Sequence, residues 1–116
     1  MPTSTDKKIG DPATDAVLAE ILRRLIALFM PEAIYLFGSI ARGQIGPDSD
    51  YDLMLVVTQS SEPRHRRMQR AQAALWGIWT AVDVLVLTRE EFDREKTVFC
   101  SLPATVLREG RRLDAA

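Results

Sequence analysis

The sequence lacks the features that mark secreted, membrane-spanning or broadly charged proteins. Among 116 residues it has a single cysteine, which excludes an internal disulfide and a zinc cluster built on cysteines. No apolar run approaches the roughly 18 residues that a membrane-spanning helix needs. Its 15 basic and 16 acidic residues leave a formal net charge of −1, so no broad field attracts nucleic acid or anionic lipid. These absences together predict a cytoplasmic protein.

Internal repeats and low-complexity tracts are also missing, which indicates one ordinary globular unit. Residues 1–10 are polar, show no apolar periodicity and lack the core of a signal peptide, so they are predicted to form a flexible leader. The chain is 47% hydrophobic, which is enough to bury a core. We therefore predict a single domain over residues 11–116.

The few cysteine, tryptophan and histidine side chains have ordinary structural interpretations. Cys100 lies among apolar neighbours and is expected to be a small buried residue rather than a reactive thiol. Trp76 and Trp79 are expected to fill the core or to cover a sheet edge rather than to stack on a base. His65 stands in an arginine-rich stretch and receives no catalytic role. None of these residues indicates a functional site.

Apolar spacing predicts that helices and short strands alternate along the first half of the chain. A helix is predicted from Asp11, which can cap it, to Pro31, where the helical periodicity stops. The apolar runs 33–37 and 51–58 predict buried strands, and the first of them is too short for a helix. Residues 44–49 contain glycine, proline and aspartate and are predicted to form a turn.

The second half continues this alternation. Residues 63–77 keep near-helical apolar spacing and are predicted to form a crossover helix, which leads to a strand over residues 80–88. Two further helices are predicted over residues 89–97 and 101–109. A short last strand is predicted at Leu113.

The first turns of the crossover helix are rich in arginine, with Arg64, Arg66, Arg67 and Arg70. Cations at a helix N-terminus oppose the helix dipole. The cluster therefore forms either a solvated helix face or a contact with an acidic partner or nucleotide phosphates. The sequence leaves both interpretations open.

The stretch 38–52, GSIARGQIGPDSDYD, holds the densest set of chemically useful residues. Gly38 and Ser39 follow a predicted strand at the point where a short helix would begin, and the free N–H groups of such a helix start bind phosphate. Asp50 and Asp52 are two residues apart, so on a strand they point to one face with Cα atoms roughly 6 to 7 Å apart. Two such carboxylates can converge on a pair of metal ions.

A third acid, Asp83, lies near the beginning of an apolar strand. A carboxylate within a buried strand is costly unless it is paired or bound to a metal. The simpler interpretation is an exposed strand end with a salt bridge to an arginine. Beside Asp50 and Asp52 on a neighbouring strand, we favour Asp83 as a third carboxylate of the metal site.

The spacing of these residues resembles that of the minimal nucleotidyltransferases of the DNA polymerase β superfamily. The matching elements are Gly38-Ser39, a gap of ten residues, Asp50-x-Asp52 with Ala41-Arg42-Gly43 inside the gap, and Asp83 on a later strand. The resemblance runs from about residue 17 to 113. It implies an α+β (mixed α/β) nucleotidyltransferase fold, in the order α-β-α-β-α-β-α, with a small mixed sheet flanked by helices.

The resemblance also implies a reaction and its metal ligands. The reaction moves a nucleoside monophosphate from a nucleoside triphosphate to an acceptor hydroxyl and releases pyrophosphate. Asp50 and Asp52 would hold two magnesium ions, which prefer carboxylates, phosphate oxygens and water. Asp83 would ligate the metal at the attacking hydroxyl and accept its proton.

The same resemblance implies a binding site for the donor nucleotide, which we expect to be ATP. Ser39 and the backbone N–H groups of Gly38 and Ser39 would hold the β- and γ-phosphates. Arg42 either neutralises the triphosphate or is an exposed arginine in a short helical turn. Ser49 either caps the turn that contains it or joins the nucleotide-binding residues.

The acceptor is expected on another chain or on a second copy, because larger relatives carry an added acceptor-binding domain for which no residues remain here. Small stand-alone members of the family are often antitoxins paired with an all-helical HEPN-type ribonuclease, and some adenylylate a tyrosine of that toxin. Our leading interpretation is therefore transfer of AMP from ATP to a tyrosine of a HEPN-type toxin. Two alternatives are a non-catalytic antitoxin that masks its toxin by binding, and a homodimeric nucleotidyltransferase that modifies an aminoglycoside-like small molecule.

Overall fold

The computed structural model describes residues 15–37 and 51–113, which contain four helices and four strands. Their order is α1 (Ala16–Phe29), β1 (Ala33–Phe37), β2 (Tyr51–Val57), α2 (Arg64–Ala74), β3 (Val82–Thr88), α3 (Arg89–Glu95), α4 (Leu102–Glu109) and β4 (Arg111–Arg112). This is the predicted α+β fold. The short helix predicted after β1 lies outside the described residues. None of the helices in the described ranges is long and apolar enough to cross a membrane.

The four strands form one mixed sheet in the order β3-β2-β1-β4. β1 runs antiparallel to both β2 and β4, whereas β2 and β3 are parallel. Parallel neighbours need a long crossover connection, and α2 supplies it. The predicted final strand is the short β4, after which Leu113 N donates a hydrogen bond to Ile34 O.

Helices cover both faces of the sheet. Side chains alternate along a strand, and Leu53 packs in one core cluster with residues of α1 and α2. Its neighbour Met54 packs on the opposite face with Phe92 of α3 and Val106 of α4. β2 is therefore buried on both sides, which explains its nearly continuous apolar sequence.

The first helix begins later than its sequence pattern predicts. Its cap is Asp15 and not Asp11, because the Asp15 carboxylate accepts hydrogen bonds from the N–H groups of Val17 and Leu18, each at 3.1 Å. The helix buries one apolar face and ends at Met30, whose backbone adopts the left-handed conformation.

The prediction that the two tryptophans fill the core or cover a sheet edge is wrong. Trp76 is 86% exposed and Trp79 is fully exposed. The reason is that α2 ends at Ala74, three residues before its predicted end, so the chain turns there. Leu75 and Ile78 then pack against the core, and the two indole rings face solvent.

The prediction that Cys100 is buried is also wrong. Its backbone has a positive φ of 68°, in the connection between α3 and α4, and its side chain is exposed. The preceding residues Val98 and Phe99 are exposed as well. An apolar sequence therefore does not imply burial here, because the side chains of Val98, Phe99 and Cys100 face solvent.

The arginines of α2 do not form one solvated face. Arg67 is 3% exposed, and its guanidinium donates to Val86 O at 2.6 Å and to both carboxylate oxygens of Glu91 at 2.9 and 3.0 Å. Arg64 pairs with Glu95 at 2.6 Å, and Arg70 pairs with Glu62. Arg64 and Arg67 therefore hold α2 to α3 and to the sheet, whereas Arg70 pairs with a carboxylate just before the helix.

The Arg67–Glu91 pair makes the stability of the fold sensitive to acid. The Arg67 guanidinium lowers the pKa of the Glu91 carboxyl from 4.5 to about 2, assisted by the hydrogen bond from Thr88 N. Because this pKa is lower in the folded chain than in the unfolded chain, the contribution to stability is complete above pH 4.5. It is lost as the pH falls toward 2.

We predict that Glu91→Gln, which can still cap α3, lowers the free energy of unfolding by about 3 kcal/mol at neutral pH. The difference from the unmutated chain should shrink by more than about half near pH 2.5, because protonation of Glu91 then removes from the unmutated protein the ion pair that the variant lacks at every pH. Urea unfolding followed by circular dichroism measures both values. The control is Glu90→Gln, an exposed neighbour, which should change stability by less than about 0.5 kcal/mol. A Glu91→Gln effect independent of pH would contradict this role.

Candidate active site

Two of the three predicted metal ligands lie side by side at one end of the sheet. In the parallel register of β2 and β3, Asp52 is the direct partner of Asp83. Neighbouring strands are about 4.8 Å apart, so the two carboxylates start from adjacent backbone positions. Asp52 is half-buried and Asp83 is exposed. Because side chains alternate, both lie on the sheet face that α3 and α4 cover further along.

The predicted phosphate-binding residues adjoin this pair in the chain. Phe37, the residue immediately before Gly38, is the antiparallel partner of Asp52. The segment 38–50 therefore leaves β1 beside the acidic pair and returns to β2 at Tyr51, one residue from Asp52. Gly38, Ser39, Arg42, Ser49 and Asp50 themselves lie outside the described residues, and their roles stay predictions.

The donor set of the described pair fits a divalent cation. Carboxylate oxygens on neighbouring strands are the ligands that magnesium prefers, together with water and phosphate oxygens. Within residues 15–37 and 51–113 no group of three potential ligands is formed by histidine, cysteine and acidic side chains. The third predicted carboxylate, that of Asp50, lies outside these ranges. Asp52 and Asp83 are thus the part of the predicted metal site that the structure brings together.

A buried hydrogen bond that the sequence prediction missed lies behind the acidic pair. Tyr51 points to the face opposite Asp52 and is buried, and its hydroxyl donates to the Asp15 carboxylate, also buried. Burial raises the pKa of Tyr51, and the hydrogen bond to Asp15 raises it further. The available signals were a tyrosine between two acids and a second capping aspartate at residue 15. Neither signal alone indicates that they meet.

The opposite face of the sheet carries an apolar cavity that neither Asp52 nor Asp83, the two described site residues, lines. Its volume is about 330 Å³, and it lies between the start of α1 and the connection that leads to β3. Val17, Ile78 and the exposed Trp79 form part of its wall. It is therefore separate from the acidic pair, although Ala81, which follows this connection, accepts a hydrogen bond from Tyr51 N at 3.2 Å.

Comparison with known families agrees with this geometry. The family model described as the nucleotidyltransferase domain matches residues 17–114, which is most of the chain. The protein therefore belongs to the nucleotidyltransferase domain family. No curated protein matches the chain significantly.

Solved structures include similar chains. A proposed nucleotidyltransferase from Sulfolobus solfataricus is 26% identical, with a TM-score of 0.55 and 81% of each chain covered. A toxin-antitoxin crystallised with AMP-PNP is 25% identical, with a TM-score of 0.49, covering 87% of this chain and 73% of the other. A mutant of the toxin-antitoxin MntA-HpeT is 19% identical, with a TM-score of 0.47, covering 85% and 71%. The first of these confirms the nucleotidyltransferase fold.

We predict that magnesium with ATP raises the unfolding midpoint of the protein, and that the double variant Asp52→Asn/Asp83→Asn loses most of this gain. Ligand at 100 times its dissociation constant adds about 2.7 kcal/mol to the stability of a folded protein. Differential scanning fluorimetry with and without ligand measures the shift. The control Asp93→Asn changes a carboxylate of α3 and should keep the full shift. An equal shift in the double variant would remove these residues from the site.

Proposed function

We propose that this protein is a metal-dependent nucleotidyltransferase that moves AMP from ATP to a hydroxyl of a partner protein. The observation that carries the proposal is the acidic pair, Asp52 opposite Asp83, at the end of a nucleotidyltransferase sheet. Like charges directly opposite each other on neighbouring strands destabilise a sheet. A bound cation would offset this repulsion, and this supports the proposal.

In the proposed reaction Asp50, Asp52 and Asp83 hold magnesium. When bound, two such ions stabilise the attacking and leaving oxygens of an in-line displacement. Asp52 is half-buried and suits a fixed ligand, whereas Asp83 is exposed and can meet an acceptor that arrives from solvent. Asp83 therefore takes the proton of the acceptor hydroxyl. The acceptor oxygen then bonds to the α-phosphorus of ATP, and pyrophosphate leaves.

The donor triphosphate is assigned to the segment that joins β1 to β2. Ser39 and the backbone N–H groups of Gly38 and Ser39 hold the β- and γ-phosphates, since glycine permits a close approach of backbone to ligand. Arg42 neutralises part of the triphosphate charge, and Ser49 adds a hydroxyl next to Asp50. The position of Phe37 beside Asp52 supports this assignment, because Gly38 is the next residue.

We further propose that the acceptor is a tyrosine of a HEPN-type toxin, so that the protein acts as an antitoxin. The family resemblance of the site motif supports this identity, and an exposed apolar surface supports a protein partner. Trp76 and Trp79 are almost wholly exposed and precede β3, which carries Asp83. Large exposed apolar patches mark interaction sites, and tryptophan is enriched among the residues that dominate binding energy.

The decisive experiment incubates the protein with labelled ATP, magnesium and the toxin. We predict that label appears on the toxin and that Asp83→Asn and Ser39→Ala each reduce the transfer rate by at least about 100-fold. Asp93→Asn is the matched control and should transfer at the unmutated rate. Full neutralisation of the toxin without label would favour the masking antitoxin. Label on an aminoglycoside-like compound, and none on protein, would favour the small-molecule enzyme.

The tryptophan surface has its own test. Trp76→Ser/Trp79→Ser should weaken binding of the toxin by more than about 30-fold, because each anchor of this kind contributes on the order of 2 kcal/mol. Isothermal titration calorimetry measures the affinity. The control Phe99→Ser removes an equally exposed aromatic from the connection between α3 and α4 and should leave binding unchanged. Loss of binding only in the Phe99→Ser variant would move the interface to that connection.

A further inference from the structure

Tyr51 occupies an unusual place, because its two neighbours in the chain are the predicted metal ligands Asp50 and Asp52. Its own side chain lies on the opposite face of β2 and packs in the core cluster with residues of α1. A strand needs only an apolar side chain there. The hydroxyl requires a separate explanation, since it brings a polar group into the core.

That explanation is a hydrogen bond to the start of α1. The Tyr51 hydroxyl donates to one oxygen of the Asp15 carboxylate, while the other oxygen accepts from the N–H groups of Val17 and Leu18. Asp15 is 8% exposed and Tyr51 is 5% exposed. One buried carboxylate therefore caps α1 and holds the first residue of β2 at the same time.

Tyr51 is also fixed through its backbone. Its N–H donates to Ala81 O at 3.2 Å, and in the sheet register it is the partner of Val82. The backbone contacts set the position of β2 along β3, which places Asp52 opposite Asp83. The hydroxyl contact adds a further restraint on this end of the strand, from the face opposite Asp52, against a small rotation about the strand axis. Such a rotation would carry the Asp52 carboxylate with it, because successive side chains point to opposite faces.

We infer that Tyr51 is a positioning residue, whose hydrogen bond to Asp15 sets the angle at which β2 presents the Asp52 carboxylate to magnesium. The inference rests on the proposed function. Magnesium demands near-octahedral geometry with ligand distances of about 2.0 to 2.1 Å, so a small rotation of a ligand matters. Supporting side chains must hold such a site to within about 0.5 Å.

The test measures the affinity of the full chain for a non-hydrolysable ATP analogue in the presence of magnesium, by isothermal titration calorimetry. Tyr51→Phe keeps the ring and removes the hydrogen bond, and we expect about tenfold weaker binding, the low end of the effect of losing a supporting contact at a metal site. Asp15→Ser still caps α1 but cannot also reach Tyr51, so its affinity for the analogue should fall about as much as that of Tyr51→Phe. Asp15→Asn can cap and still bond to the tyrosine, so its affinity should stay within about twofold of the unmutated value.

A control and a double variant separate positioning from general stability. Tyr35→Phe removes the hydroxyl of a tyrosine on β1 that stacks on Phe92, on the face opposite Tyr51, and this variant should bind the analogue normally. The affinity of the double variant Tyr51→Phe/Asp15→Ser should fall by no more than about tenfold, since both changes break the same hydrogen bond. All proteins are compared at a temperature at which circular dichroism shows them folded. If Tyr51→Phe cannot fold, the affinities of Asp15→Ser and Asp15→Asn are compared instead, because only the first of these variants loses the hydrogen bond to Tyr51.

Unmutated affinity in Tyr51→Phe, even with a lower melting temperature, would overturn the inference and leave the proposed function intact. Equal losses in Tyr51→Phe and Tyr35→Phe would overturn it too, because the effect would then be general loosening. If the unmutated protein binds no nucleotide with magnesium, the proposed function fails, and the positioning role fails with it.

Discussion

The parallel pairing of β2 with β3 is the constraint on which the rest of the structure depends. It requires a crossover connection, which α2 provides, and it makes β2 a central strand with β1 on its other side. A central strand of this kind must be covered on both faces, which sets the places of all four described helices. The same pairing puts Asp52 opposite Asp83, so the site is a direct product of the sheet register.

Much of this arrangement could be predicted because it depends on short-range signals. The strand Ala33–Phe37 was predicted with its observed ends, since an apolar run of five residues before Gly38 is too short for a helix. The helix at residues 102–109 follows from its capping serine. For the site, the two-residue spacing of Asp50 and Asp52 located the motif. Asp83 was favoured as a third carboxylate because it lies near the start of an apolar strand, but its alignment with Asp52 could not be predicted, since periodicity cannot fix which residues of two strands are partners.

The features that sequence reasoning missed depend on contacts between distant parts of the chain. Arg67 is buried because its guanidinium donates a hydrogen bond to the carbonyl of Val86 on β3, an edge strand of the sheet. The sequence of α2 does not indicate this partner. Gln72 similarly donates to Val82 O at 2.8 Å. The prediction for the two tryptophans was wrong for another reason. Helical apolar spacing continues in the sequence past the point where α2 ends, so positions that would have faced the core face solvent.

The acidic pair also shows how stability and proposed activity compete at this end of the sheet. A sheet selected for stability alone would place opposite charges or apolar groups at paired positions, since like charges there are unfavourable. The buried bond between Tyr51 and Asp15 lies one residue away, on the other face. It adds order to β2 where the facing acids oppose close pairing. In the proposed reaction, the buried hydrogen bond behind β2 would hold the Asp52 carboxylate in place for the cation that it shares with Asp83.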